Sequence, residues 1–313
     1  MNELAVIFNP QKISIDKLQK AFTKQKVSNA TFFATEPGTN GALATKEALA
    51  LGAKHLIIAG GDGTIRAIVQ ELMESKADVT IGLIPVGTGN ILARNLKLSV
   101  TNLDANVKRA INGTNFEIDL GVAKVLDKQG NVTTFFFTGI AGVGMDARIM
   151  QRTDLKAKKR IGWFAYIEGG FKSLPLKFEK FEIQVDNQPV RTIKSYSVLV
   201  GNAGWLPGLI SMMPDARLDD ARLDIALIGP RKLWNWVDFL SRITWQNQVV
   251  RPLSLGRKWL DLTANLKTIE NLNGSRIRIR PHHPVLLQVD GDPQFEVIEA
   301  DFKLLTKELR FRL

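Results

Sequence analysis

The sequence predicts an α/β N-terminal domain with a doubly wound parallel sheet, followed by a mainly antiparallel β-sandwich C-terminal domain. Three observations carry this prediction. Strand-like and helix-like patterns alternate four times between Leu4 and Leu96. Two of those strands, Leu56 to Ala59 and Ile81 to Ile84, are unbroken apolar runs, as strands covered on both faces require. Beyond about residue 115 the alternation gives way to short strand-like runs joined by hairpin turns.

Leu4 to Phe8 is the first strand, ending at Asn9-Pro10. Ser14 is placed to cap a helix with Ile15, Leu18 and Phe22 on one face. Ala30 to Thr35 is the second strand, closed by the turn Glu36-Pro37-Gly38. Ala44, Ala48 and Leu51 share a face of the next helix, and Gly52 is placed to end it. The third strand ends in Gly60-Gly61-Asp62-Gly63-Thr64, after which Ile65, Ile68, Val69, Leu72 and Met73 recur at helical spacing. The fourth unit repeats the figure, with Ile81 to Ile84 as strand, Pro85 to Asn90 as loop and Ile91 to Leu96 as helix. Thr101 to Ile111 forms one more helix, stopped by Gly113. The boundary then falls near Asn112 to Asn115, giving a first domain over residues 1–114 and a second over 115–300.

In the second half the predicted strands are Phe116 to Val125, Val132 to Thr138, Phe178 to Asp186, Ser195 to Gly201, Leu223 to Ile228, Ser275 to Arg280, Val285 to Asp290 and Phe295 to Ile298. Asp127 to Asn131 and Asp186-Asn187 are hairpin turns. Helical segments from Arg160 to Ser173 and from Arg231 to Asn247 interrupt the series.

The two glycine-rich loops point to chemistry. They end neighbouring strands at the carboxyl edge of one parallel sheet, where such sheets bind ligands. Glycine lets the main chain approach a ligand, and free N–H groups at a helix start suit phosphate. Asp62 adds a carboxylate, which beside phosphate implies a divalent cation or a hydroxyl to hold. Neither GxxxxGK[ST] nor GxGxxG occurs in these loops. The competing reading is a pair of tight turns whose glycines serve packing alone.

GGDGT followed by a strand and PVGTGNILAR resembles the signature of the diacylglycerol kinase catalytic-domain family, which includes bacterial lipid kinases and sphingosine and ceramide kinases. NAD kinases share the first turn but resemble the second loop less. The resemblance continues through Asp119-Leu120-Gly121, FTGIAGVGMDA, LVGNAGWLPG, PDARLDDARLDIALI and VDGD in family order. It implies a nucleotide domain and a β-sandwich with active site and lipid between them, and residues 301–313 returning to the first domain. It implies ATP and Mg²⁺ as cofactors and a lipid hydroxyl as acceptor, diacylglycerol being the first to consider. Gly60, Gly61, Asp62, Gly63, Thr64, Gly87, Thr88, Gly89 and Asn90 would form the phosphate cradle, with Thr35 at a family nucleotide-contact position. Asp62 and Asp119 are the candidates around a catalytic Mg²⁺, a cation that takes oxygen ligands. Asp119 also suits a strand-end turn.

Asp290 is the candidate base for the hydroxyl proton, with Asp292 holding or tuning it. The same Val289-Asp290-Gly291-Asp292 run also reads as an ordinary hairpin turn. Asp220, with the main-chain carbonyls of Arg217 and Arg222, resembles a structural Mg²⁺ site of bacterial members; an acidic surface loop is the alternative. The chain departs from the family pattern in three of these places. Asp292 replaces the usual Glu, Ala221 stands where Gly is normal, and Ile91 stands where Asp is frequent.

Composition bounds the partners. At 313 residues with 45% hydrophobic and 23% charged residues, the chain has the make-up of a globular protein. No run approaches the ~20 apolar residues of a membrane span. The opening MNELAVIFNP does not read as a signal peptide. The absence of cysteine excludes disulfides and thiolate chemistry and fits a cytoplasmic protein. A net charge of +11 suits ATP, acidic phospholipid or nucleic acid, or is an indifferent basic surface. No nucleic-acid motif is present, so nucleic acid is not expected. The run Lys156-Ala157-Lys158-Lys159-Arg160 before Trp163, Phe164 and Tyr166 suits peripheral docking on an anionic membrane, or a solvated face. Homodimerisation stays open. NAD kinase-like activity on a soluble substrate is the runner-up, and a non-catalytic module binding anionic lipid is the reading from another class.

Overall fold

The computed structural model describes residues 3–39, 41–144, 178–206, 210, 211, 213, 215–228 and 271–313. The basic run at Lys156 to Arg160, its neighbouring aromatics and both helical segments of the second half lie outside the described residues.

The first half runs β1 (Leu4–Phe8), α1 (Ile15–Lys24), β2 (Thr31–Ala34), α2 (Ala42–Ala50), β3 (His55–Gly60), α3 (Asp62–Ser75), β4 (Thr80–Pro85), α4 (Ile91–Asn95) and α5 (Leu103–Asn112). The strands pair in parallel in the order β2-β1-β3-β4. Successive side chains of a strand point to opposite faces, and here both faces are covered. Ala5, Ile7, Leu56, Ile58, Ile81 and Leu83 pack with Ile65, Ile68 and Leu72 of α3 and with Ala44 and Ala48 of α2. Val6, Phe8, Ile57, Ala59 and Ile84 pack on the other side with Leu18 and Phe22 of α1 and Val107 and Ala110 of α5. Each fully buried Leu, Ile or Phe contributes about 1.5–3 kcal/mol, which is why these apolar runs dictate the layers. Two expected face residues are exposed. Ile15 is the first residue of α1 and Leu51 follows the last residue of α2, and both project past the sheet into solvent.

The second half runs β5 (Asn115–Asp127), β6 (Val132–Phe137), β7 (Ile140–Gly144), β8 (Glu179–Val185), β9 (Arg191–Ser195), β10 (Ser197–Gly201), β11 (Trp205–Leu206), β12 (Ile210–Ser211), β13 (Leu223–Ile228), β14 (Asn271–Gly274), β15 (Arg276–Pro281), β16 (Val285–Val289) and β17 (Asp292–Arg312). One antiparallel layer is β14-β13-β10-β7-β16-β17, and the other is β6-β5-β17-β15-β8-β9. Alternate residues of the two layers meet in one core, Val143, Val200, Ile225 and Leu287 facing Val125, Phe181, Ile279 and Phe302. Sequence reading passes over β7, β9, β11, β12 and β14. β7 is Ile-Ala-Gly-Val-Gly and β14 is Asn-Leu-Asn-Gly, so neither shows the branched alternation that marks a strand.

β17 is far longer than the expected run at Phe295 to Ile298. It takes part in both layers, and its last residues, Arg310 to Arg312, pair in parallel with Thr80 to Gly82 of β4. Irregularities in its pairing with β5 between Val297 and Glu299, and between Leu305 and Leu309, let one strand bend through these roles. Among the described residues, no helix is long and apolar enough to cross a membrane.

Candidate active site

β3 and β4 lie in register with Gly60 opposite Pro85, and Val86 N–H donates to the Gly60 carbonyl. The two glycine loops therefore leave the sheet side by side. The first is shorter than expected, because α3 begins at Asp62 with Gly61 as its extended N-cap. No side chain caps this helix start; its first N–H groups and the positive end of the helix dipole are arranged for an anion. Gly61 and Gly87 touch back to back. A Cβ on Gly61 would lie 3.1 Å from the Gly87 Cα, and one on Gly87 would lie 2.6 Å from the Gly61 Cα. At these two positions the packing reading of the glycines holds, whatever they also face.

Asn90 fixes the second loop. Its Oδ1 accepts from Gly87 N–H at 2.9 Å and its Nδ2 donates to the Gly87 carbonyl at 2.7 Å, while its own backbone takes a left-handed φ of 50°. Arg94 Nε donates to the Gly89 carbonyl. Thr88 at the loop tip is exposed, whereas Thr64 and Thr35 are buried. Thr35 follows the last residue of β2, its N–H donating to Phe8, so it sits at the same carboxyl edge as both loops.

Asp62 leads from this edge toward the second half. Its Oδ1 accepts the Ile91 N–H at 2.6 Å. Ile91 thus supports Asp62 through its main chain, while its side chain packs with Ile140, Leu199 and Met213. Burial raises the Asp62 carboxyl above its usual range; the Ile91 and Asn90 amides oppose this, and the charge of Asp292 adds to it.

Asp290 lies across from Asp62 in the turn between β16 and β17. It is held by main chain: Oδ2 accepts Thr138 N–H at 3.0 Å, and Oδ1 accepts Gly139 and Ile140 N–H at 2.8 and 3.0 Å. Burial pushes its carboxyl up to about 6, against those three amides and with help from the charge of Asp62. The Asp292 carboxylate is engaged by Arg66 and not by Asp290. Its Oδ2 accepts from Nε of Arg66 on α3 at 3.2 Å and forms an ion pair with Nη2 at 3.1 Å. Among the described residues no three His, Asp or Glu side chains converge to hold a metal ion unaided. Asp62, whose carboxylate feels the charge of Asp292, would hold such an ion only together with phosphate and water oxygens.

Asp119 sits elsewhere in the seam. Its Oδ1 accepts Lys307 N–H at 2.8 Å and its Oδ2 accepts Ala221 N–H at 2.7 Å. Both oxygens are thereby engaged by main chain, tying β5 to β17 and to the loop of Arg217, Asp220 and Arg222. In that loop Asp220 accepts the Arg222 N–H, Arg217 pairs with Asp219, and Ala221 adopts φ 59°. The left-handed turn is thus made by an alanine, at about 1–2 kcal/mol of strain. Burial, with the charges of Asp220 and Asp215, raises Asp224 to about 6.

Three participants escape a reading of the sequence: Arg66, Asn202 and the amides of Thr138 to Ile140. Asn202 N–H donates to the Gly139 carbonyl and its Nδ2 to the Asp119 carbonyl, linking the two carboxylate centres. Arg66 had a usable signal, since it lies four residues from Asp62 on one helix face. The amides had none, because main-chain donors carry no residue signature.

Residues 3–123 match the diacylglycerol kinase catalytic domain, and residues 139–253 match the YegS C-terminal NAD kinase beta sandwich-like domain. A diacylglycerol kinase of Staphylococcus carnosus is 29% identical over 202 residues, which are 64% of this chain and 62% of that protein's length. The crystal structure of a diacylglycerol kinase from Bacillus anthracis superposes with a TM-score of 0.74 at 20% identity, covering 99% of this chain and 96% of that one. An NAD kinase from Archaeoglobus fulgidus in complex with ATP shares the fold at a TM-score of 0.53 and 12% identity, covering 99% of this chain and 93% of that one. The chain thus carries a diacylglycerol kinase catalytic domain followed by a YegS C-terminal NAD kinase beta sandwich-like domain, in that order.

Proposed function

We propose that this chain is a lipid kinase that moves the γ-phosphate of ATP to a lipid hydroxyl, diacylglycerol giving phosphatidic acid. The observation that carries the reading is Asp290, a buried carboxylate raised to about 6 and facing Asp62 at the edge of the glycine loops. A base poised near neutral pH and close to a phosphate cradle is what phosphoryl transfer to a hydroxyl requires. In this reading residues 1–114 supply the nucleotide half and 115–300 the lipid half. Residues Gly60 to Thr64 and Gly87 to Asn90 bind and orient the phosphates, with Thr35 beside the nucleotide. Asp290 accepts the hydroxyl proton as the lipid oxygen bonds to the γ-phosphorus and the bond to ADP breaks. A magnesium ion shared between Asp62 and the phosphates would neutralise charge developing there. Asp119 and the loop of Arg217, Asp220 and Arg222 keep the seam between the halves in register, and a second ion at Asp220 would reinforce that loop. The +11 charge supports approach to an anionic membrane from the cytoplasmic side.

The test is transfer of γ-labelled phosphate from ATP to a panel of lipids, with NAD in parallel. Label in diacylglycerol supports the reading. Label in NAD alone makes the chain an NAD kinase with this fold, and vesicle binding without transfer makes it a lipid-binding module.

A further inference from the structure

One polar stripe runs along α3 at four-residue spacing: Asp62, Arg66 and Gln70. Residues four apart share a helix face. Here that face is turned to the second half of the molecule. Arg66 donates from Nε to one oxygen of Asp292, at the start of β17, and pairs with it ionically through Nη2. One turn further on, Gln70 Oε1 accepts the Phe136 N–H at 3.1 Å, and its Nε2 reaches the Thr134 carbonyl at 3.4 Å, both on β6. These are the two segments that govern Asp290. Asp292 is two residues from it in the same turn, and β6 leads straight into the Thr138, Gly139 and Ile140 amides that grip its carboxylate.

We propose that Arg66 and Gln70 are positioning residues, which register the helix that opens the phosphate cradle against the two segments that carry and hold Asp290. The same helix begins at Asp62, so its placement fixes both partners of the reaction together. The Arg66 side chain is only 18% exposed although Asp292 is 39% exposed. The cation is therefore largely withdrawn from solvent, unlike a fully exposed pair, which contributes little. The planar guanidinium bonds through Nε while holding Nη2 close to the same oxygen, and a Lys offers a single compact charge. Seams between halves of a chain are mobile unless large and apolar, and a polar stripe of this kind restricts that mobility at the place where reacting atoms must meet.

The inference rests on the proposed kinase reading for its effect on turnover, but its structural content can be tested alone. The full chain is compared with Arg66→Met, Arg66→Lys, Gln70→Ala and the double variant Arg66→Met/Gln70→Ala. Hydrogen exchange at Thr138, Gly139 and Ile140 is followed without any substrate. Exchange there should quicken about three- to tenfold in either Arg66→Met or Gln70→Ala, and further in the double variant. With ATP and a short-chain diacylglycerol, kcat should fall by about 10²-fold in Arg66→Met, more than KM for ATP rises, and Arg66→Lys should recover part of it. Wild-type protection at residues 138–140 in folded Arg66→Met and Gln70→Ala overturns the proposal. Should Arg66→Met fail to fold, Arg66→Lys and Gln70→Ala decide by the same readout. A wild-type chain that labels no lipid defeats the kinase reading and leaves the exchange measurement to judge the stripe.

Discussion

The Gly139 N–H donates to Oδ1 of Asp290 at 2.8 Å, joining residues 151 positions apart. A Cβ at position 139 would lie 2.9 Å from that oxygen and 3.2 Å from Cγ2 of Ile91. Glycine here is what lets three amides close round one carboxylate. Gly139→Ala should displace Asp290, lowering kcat by about 10²-fold and stability by about 1–3 kcal/mol. Turnover and thermal unfolding measured side by side check this. Wild-type kcat in the alanine variant would mean that the grip does not matter to the chemistry.

Asp290→Asn keeps the size of the side chain but cannot take the hydroxyl proton. Turnover should fall by ~10²–10⁴-fold, with ATP affinity little changed, since the cradle loops follow β3 and β4 and Asp290 follows β16. Asp292→Asn should do less harm, because its partner is Arg66 and not the reacting oxygen. Comparison of kcat and ATP binding for both variants distinguishes the two roles, and equal losses would refute the assignment.

The pH dependence follows from the raised carboxyl of Asp290. The base works only when ionised, so kcat should climb with pH through about 6 and level off above it. The linkage has the opposite sign for stability. A folded value of about 6 against 3.8 for an unperturbed Asp means a stabilising contribution complete below 3.8 and lost as pH rises through 6. Wild type should therefore lose stability relative to Asp290→Asn over that window. A rate profile flat from pH 5 to 8 would exclude Asp290 as the base.

Gly87→Ala drives a methyl group into the Gly61 main chain, whereas Gly63→Ala meets its nearest neighbour, Asp292 Oδ2, at an ordinary 3.5 Å. The first should cost about 1–3 kcal/mol and abolish nucleotide binding as the loops part. The second should leave the fold intact. Calorimetric titration with ATP and a melting curve for each variant provide the check; a stable, ATP-binding Gly87→Ala protein contradicts the close approach.

Ala221 is held at φ 59° while its N–H serves Asp119. Ala221→Gly should relieve the left-handed strain, offset in part by the freer unfolded chain, for a net gain of about 0.5–1 kcal/mol. A lower melting temperature in the glycine variant would show that the turn is not strained.

By itself, the sequence determined the class of each half and the edge at which the site lies. Apolar runs such as Leu56 to Ala59 and the helical spacing of Ile65, Ile68 and Leu72 are local patterns, and burial acts on them wherever they are placed. The same holds for the two glycine loops and for the Asp-Gly turn at 290 and 291. Tertiary structure decided which polar groups meet. Sequence reading set Asp62 beside Asp119 and made Asp292 the support of Asp290. The fold surrounds Asp119 with amides from Lys307 and Ala221, gives Asp292 to Arg66, and hands Asp290 to Thr138, Gly139 and Ile140. Those partners are long-range, and most of them are main-chain N–H groups that every residue but proline carries. Their identity is therefore invisible in the one-letter string until β7, β16 and the long bent β17 bring them together.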